Sequence, residues 1–251
     1  MKLTHGIPFF RFCVVAGAFV AAAAVQGATL VSYEFGTTNK LNPTFSDPDA
    51  ITGPVTINSY ANAAASGYYG LASNSTNLFT RLANRAQALG DPETPFAEGS
   101  TLADAISNGG SYSFTIEAEE GRLLDLTSLT VQLGTERLSG ASAFTAHAWL
   151  CDENGNPLGS ATKNAASATL SWNDFNTDLS TLAPASSFTF RIYVAGEPEG
   201  DAEYNQVIRL RNVTLTGSVI AVPEPGAWAL IAGALLLSFA FWRARSSRGS
   251  H

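Results

Sequence analysis

The chain has 251 residues, with 21 Asp+Glu against 14 Lys+Arg and a formal charge of −7. That balance argues against a nucleic-acid partner, because phosphate backbones are held by clustered lysine and arginine. Only two cysteines occur, Cys13 and Cys151, which excludes a disulfide scaffold and a cysteine-based zinc site.

At the N-terminus Lys2, His5 and Arg11 precede an apolar stretch over 12–25, and small residues follow in Ala24-Val25-Gln26-Gly27-Ala28. A positive start, a short apolar segment and a small-residue exit predict a secretory signal peptide over 1–27, cut after Gly27 or one residue later after Ala28. The apolar stretch, about 14 residues, falls short of the roughly 20 that a stable membrane anchor needs. Cys13 leaves with it, so Cys151 stands alone in the body. Between the cut and Pro225, 9 basic residues remain against 21 acidic ones, a net of −12. That charge disfavours anionic lipid head groups as well as nucleic acid and serves solubility outside the cell.

The body, 28–221, is long enough for one domain with a substantial core. Residues 29–35 (T-L-V-S-Y-E-F) read as a first strand. A stretch rich in Asn, Pro and Ser follows to residue 75, with short strands near 55–57 and 68–71. Residues 78–88 read as a helical turn. From 112 the period-two alternation sharpens: Y-S-F-T-I-E-A over 112–118, a turn at Glu119-Glu120-Gly121, then L-D-L-T-S-L-T-V-Q-L over 124–133. A-F-T-A-H-A-W-L-C over 143–151 ends in Asp152-Glu153-Asn154-Gly155-Asn156, a hairpin loop built on Asn-Gly. A short strand at 169–172, a strong one at 187–195 (S-F-T-F-R-I-Y-V-A) and one or two more over 207–220 complete the pattern. Short alternating runs between Gly, Asn, Asp and Pro predict an all-β, two-sheet sandwich of jelly-roll-like type.

Candidate chemistry in the body is sparse. His147 and Cys151 share a strand face with Trp149 between them, but four residues of strand separate them by about 13 Å, too far for a Cys–His dyad. No metalloprotease, nucleophile-elbow or phosphate-loop motif occurs. Glu117 and Glu119 fall on one face at the edge of a turn, the place of a solvated rim. Asp152-x-Asn154-x-Asn156 lacks the Gly and Glu of an EF-hand, which has Pro157 and Lys163 at those places. Glu197, Glu199 and Asp201, in the densest acidic run, are the calcium candidates, with a solvated loop as the default for such a run. For a ligand such as a sugar, Trp172 beside Asn173-Asp174 is the leading outward aromatic, and Trp149 is the second. No catalytic residue and no required cofactor emerges.

The last 30 residues carry the clearest motif. Val222-Pro223-Glu224-Pro225 precedes an uncharged apolar run over 227–242, bracketed by Trp228 and Trp242, and then Arg243, Arg245 and Arg248. The prolines forbid helix and keep the motif extended. The apolar run predicts a transmembrane helix of about 24 Å, short for a ~30 Å core, and the arginines place its far end, 243–251, in the cytoplasm. This order resembles the PEP-CTERM sorting tail, a signal read by exosortases in Gram-negative-type bacteria. The resemblance covers 222–248. It implies an exosortase-like transpeptidase as partner, alongside the secretion machinery and the membrane. It also implies removal of the tail and delivery of the body to the cell surface or extracellular matrix. The body is similar to a loose class found ahead of such tails, through Phe114-Thr115-Ile116, Leu124-Asp125-Leu126, Phe190-Arg191-Ile192-Tyr193 and Asn212-Val213-Thr214-Leu215. These expectations describe an exported, non-catalytic structural or adhesive protein. A carbohydrate-binding module for exopolysaccharide is the alternative, and a carboxylate-dependent hydrolase a more distant one. Two exposed aromatics on one sheet face favour the first alternative; two buried, facing carboxylates favour the second.

Overall fold

Period-two alternation governs the chain from Ala28 onward, and it builds strands nearly throughout. A computed structural model describes residues 27–35, 40–60, 68–72, 77–84, 93–138, 140–222, 233 and 235–239. The strands are β1 (Ala28–Tyr33), β2 (Phe45–Ser46), β3 (Ala50–Thr52), β4 (Thr56–Asn58), β5 (Tyr69–Leu71), β6 (Leu78–Arg81), β7 (Ala83–Asn84) and β8 (Thr94–Pro95). One short helix, α1 (Leu102–Ser107), precedes the long strands β9 (Ser111–Ala118), β10 (Arg122–Arg137) and β11 (Phe144–Cys151). The remainder are β12 (Pro157–Asn164), β13 (Ser171–Asp178), β14 (Ser187–Pro198) and β15 (Gln206–Ala221).

Apart from β7 and β8, which pair with each other, they form two stacked antiparallel sheets, an all-β sandwich. The first sheet runs β13-β10-β15-β1-β2, with β6 sharing the β1 edge of β15 and β5 pairing beyond it. The second runs β12-β11-β14-β9, with β3 and β4 side by side along the outer edge of β9. Between them lies a core drawn from inward residues of both: Leu124, Leu126, Leu129, Val131 and Leu133 of β10 face Phe114, Ile116, Phe144, Phe190 and Ile192, all 3% exposed or less. Each such side chain contributes about 1.5–3 kcal/mol by leaving water.

Bulges keep that face inward. In β10 the inward residues switch from even numbers (Leu124, Leu126) to odd ones (Leu129, Val131) across a register shift between Leu126 and Ser128. In β15 the same switch, from Ile208 and Leu210 to Val213 and Leu215, occurs where Asn212 adopts φ 51°. An extra residue in one strand flips every later side chain, so each bulge restores the buried face that a strict alternation would lose. Asn tolerates the left-handed conformation that this needs.

Both ends of the body leave at one pole. Ala28 pairs with Gly217, and the Val222 N–H donates to the Gly121 carbonyl at 2.9 Å, directly after β15 ends. Gly217 is required there: a Cβ would fall 2.4 Å from the Asp125 carbonyl oxygen. Of the signal peptide expected over 1–27, only Gly27 belongs to the described residues. Pro223, Glu224, Pro225, Arg243, Arg245 and Arg248 lie outside them. Of the expected transmembrane helix over 227–242, residues 235–239 are described and helical, with Leu235, Leu236, Leu237 and Phe239 exposed. Among the described residues no helix is long and apolar enough to cross a membrane.

One expectation needs correction. The helical turn expected at 78–88 is, over the described residues 78–84, β6 and β7: Leu78 and Thr80 are buried while Phe79 and Arg81 are half-buried, the period of a strand; 85–88 lie outside the described residues. Of the one or two strands expected over 207–220 there is one, a 16-residue strand that the bulge bends without ending.

Candidate functional site

The two sheets present their outward faces very differently. On the second sheet, residues of β11 and β14 with outward side chains meet α1. Ala105 of the helix packs on Cys151, Tyr193 and Ala195, and Leu102 and Trp149 border this small cluster. A capping box holds the helix in place: the Thr101 hydroxyl accepts from the Asp104 N–H, and the Asp104 carboxylate accepts from the Thr101 N–H. Hydrogen bonds from the Thr101 hydroxyl and the Thr101 and Ser100 amides hold the Asp104 carboxyl below the ordinary range. Burial, with a smaller push from Asp152, raises the Cys151 thiol to about 11, so it is an inert, protonated packing group. Trp149 sits on this sealed face, stacked on His147 at 5.7 Å and 13° between rings. His147 Nε2 lies 3.7 Å from the Glu197 carboxylate.

The first sheet leaves its outward face to solvent, and Trp172 lies on it. Trp172 pairs with Gly134 across β13 and β10. The missing Cβ of Gly134 is what seats the indole: a Cβ there would come within 2.7–3.1 Å of three ring atoms. Glycine inside a strand marks such a close approach. Arg211, from β15, places its guanidinium carbon 4.0 Å from the Trp172 ring centroid. That guanidinium is oriented in turn, since Arg211 Nε donates to Gln132 Oε1 at 2.7 Å and Gln132 Nε2 donates to Asp174 Oδ1 at 2.8 Å. Asn212, at the bulge, donates to the same Gln132 oxygen at 3.0 Å. The result is a half-buried aromatic plate with the Arg211 guanidinium stacked over its ring and amide and carboxylate groups alongside.

The acidic candidates disperse. Glu197 faces His147, Glu203 accepts from the Ser142 N–H at 2.7 Å, and Glu199 and Asp201 are exposed. Among the described residues, no three His, Cys, Asp or Glu side chains gather as a metal site. A surface cleft of about 530 Å³ is lined by Glu93, Glu98, Asp201 and Glu203, but two of these carboxylates serve backbone amides, Tyr204 N–H and Ser142 N–H. The Asp152 carboxylate is likewise consumed by its own hairpin: it accepts from the Asn154 and Asn156 amides and from the Asn156 side chain at 2.8–2.9 Å. Although burial works the other way, these bonds hold it below the ordinary carboxylate range. Glu117 and Glu119 are exposed at the rim of β9.

Sequence reasoning singled out Trp172 but not Gly134, Gln132 or Arg211. An interior glycine in an otherwise alternating strand was the available signal; its partner depends on a register that sequence does not display.

No family model matches the chain, and no curated protein matches it. Among solved structures it is similar to the K3 cleaved adhesin domain of Lys-gingipain from Porphyromonas gingivalis W83. There the identity is 13% and the TM-score 0.35, over 75% of this chain and 99% of that one. It is also similar to the CBM22-2 xylan-binding domain of Xyn10C from Paenibacillus barcinonensis, with 12% identity and a TM-score of 0.33 over 75% and 99%. A Stig cyclase from Fischerella sp. TAU follows at 16% identity and a TM-score of 0.30, over 74% and 83%. An adhesin, a sugar-binding domain and an enzyme differ in function, and likeness at this level assigns the chain neither a ligand nor an activity.

Proposed function

We propose that this is an exported, non-catalytic adhesive protein, delivered to the cell surface or extracellular matrix by a PEP-CTERM tail and holding polysaccharide through the outer face at Trp172. The observation that carries the ligand reading is the seating of Trp172 on Gly134 with Arg211 beside it. A flat apolar ring held rigid at a solvent face, next to oriented polar groups, suits the C–H face and hydroxyls of a sugar. The order of the eight long-range strands, β13-β10-β15-β1 over β12-β11-β14-β9, reads as a jelly roll of two Greek keys. The dispersal of the carboxylates favours a binding role over the hydrolase alternative, which calls for two groups flanking one bond.

The sorting half rests on the tail motif and on the pole where Val222 leaves the sheet. An exosortase-like enzyme acting at Pro223-Glu224-Pro225 would find the site immediately beside the folded body. Replacing those three residues by alanines is expected to leave an uncleaved, membrane-held precursor on immunoblots; unchanged processing overturns the sorting claim. For the ligand, the purified protein is expected to retain exopolysaccharide from the producing cells on an affinity gel, and Trp172→Ala to lose most of that retention. Full retention by the variant removes Trp172 from the site.

A further inference from the structure

Resting on the polysaccharide reading above, we infer that the ligand is an uncharged, extended polysaccharide chain that crosses the first sheet, with a second aromatic subsite at Phe45. Phe45 is 47% exposed, a large apolar side chain with no reason in the core to be where it is. It pairs with Ser32 across β2 and β1. Ser32 pairs with Thr214, Thr214 with Thr130, and Thr130 with Asn176. Residues opposite one another in antiparallel strands share a face, so Asn176, Thr130, Thr214, Ser32 and Phe45 form one row across five strands. Trp172 stands on the same face, four residues from Asn176 along β13, the opposite edge strand. With strands about 4.8 Å apart, the row is roughly 19 Å long. The two aromatics thus mark the two edges of one outward platform.

Four neutral, short polar side chains fill the row between its aromatic end and the Trp172 strand. Hydroxyls and amides both donate and accept, which is the complement of a sugar's hydroxyl groups. The Thr130 hydroxyl donates to Asn176 Oδ1 at 3.2 Å, so part of the row is already ordered. The arginines on this face are paired within it, and Asp125 and Asp178 add exposed carboxylates. Arg209 pairs with Glu136, and Arg211 is tied through Gln132 to Asp174. A polyanion would meet no net positive field here and would be repelled by a body, 28–221, of net charge −11. A protein partner is disfavoured for a different reason: stable interfaces have an apolar centre and polar rim, whereas this face has a polar centre and aromatic edges.

The test uses exopolysaccharide from the producing cells, separated by anion exchange into neutral and acidic fractions, with binding read by affinity electrophoresis. The full-length protein is expected to be slowed by the neutral fraction, with little effect of added salt. Phe45→Ala is expected to weaken binding to long chains about tenfold, or about 1.4 kcal/mol, while leaving short oligosaccharides from that fraction bound as before. Trp172→Ala is expected to weaken both. Circular dichroism of each variant checks the fold, and Phe45→Tyr, which keeps the ring, is expected to restore long-chain binding. Equal long-chain affinity in Phe45→Ala, or preference for the acidic fraction with steep salt dependence, overturns the inference while sparing the Trp172 site. Retention of neither fraction by the unmodified protein removes the polysaccharide reading itself.

Discussion

On the second sheet Cys151, Tyr193 and Ala195, outward residues of β11 and β14, disappear beneath α1. On the first sheet the outward residues of β13, β10 and β15 are polar, bonded to each other, and left open to solvent around Trp172. Both faces come from antiparallel strands with the same period-two alternation, so fold alone does not decide which side is closed. Side-chain size decides it. Ala105 against Ala195 and Cys151 lets a helix approach, whereas rows headed by Asn176, Asp174 and Arg211 leave no apolar floor for one. Each face nevertheless keeps one tryptophan. Trp149 is spent on a histidine and a helix; Trp172 is laid on a glycine, with the Arg211 guanidinium over its ring, and keeps part of its surface in solvent.

The sharpest way to break this contrast is to charge the sealed face. Ala195→Asp would bury an unpaired carboxylate under α1, and a loss of about 3–5 kcal/mol in urea unfolding is expected. Gln132→Ala on the open face, which breaks exposed and part-buried hydrogen bonds, should cost only about 1 kcal/mol. Equal costs would show that the faces are not sealed and open as described.

Next in size is a change to the seat of Trp172, read by binding with circular dichroism as the check on the fold. Gly134→Val places methyl groups where the Trp172 ring lies and is expected to displace it. Polysaccharide retention should then fall at least about tenfold, a loss of about 1.4 kcal/mol of binding, matching Trp172→Ala. Retention at the original level in Gly134→Val would mean that the seat does not matter.

A smaller effect concerns the latch on the sealed face. Thr101→Ala removes half of the capping box and should cost about 1 kcal/mol. Labelling of Cys151 by a neutral disulfide reagent, slow in the original protein, is the readout, because the thiol becomes reachable only when α1 lifts. The same latch has a pH sense. The folded-state carboxyl of Asp104 is held below its ordinary value, so its contribution is present above the usual Asp range and is lost as pH falls through the folded value. Cys151 labelling, expressed relative to an unstructured thiol at the same pH, is therefore expected to rise at low pH in the original protein, and to change less in Thr101→Ala.

The smallest expected effect is alkaline. Cys151 loses its proton near 9 when exposed and near 11 when folded. The unfolded chain deprotonates first, so stability should decline as pH rises through that interval. Cys151→Ala should flatten that part of the stability curve, and an unaltered slope would assign it to other groups.

Sequence displayed the sandwich through β1, β9, β10, β11 and β14, because each buries one face and alternates cleanly. It hid β12 and most of β13. In Pro157–Asn164 the inward positions include Gly159 and Lys163, the latter held by Asn173 at 2.9 Å, so the strand carries almost no apolar signal. β13 is an edge strand with polar outward residues, and only Phe175 and Thr177 are buried. The helix α1 was missed because six residues are too few for a helical period to emerge. In the site, Trp172 was visible as a residue type, whereas its seat and its guanidinium neighbour depend on registers set by bulges in β10 and β15. Phe45 had no strand signal around it, and its significance arises solely from the row it terminates.

The position of β15 has a mechanical consequence. This strand lies inside the sheet and ends where the chain turns towards its tail. For a body tethered there, tension enters along the axis of β15 while a bound polymer resists from the sheet's face. The hydrogen bonds to β10, from Arg122 opposite Ala221 to Arg137 opposite Gln206, lie across that axis. They are loaded together in shear instead of being peeled open one by one, as an edge strand would be. Under the function proposed above, a tether on this extensively paired strand would let the domain act as a load-bearing coupling between a cell and the material around it.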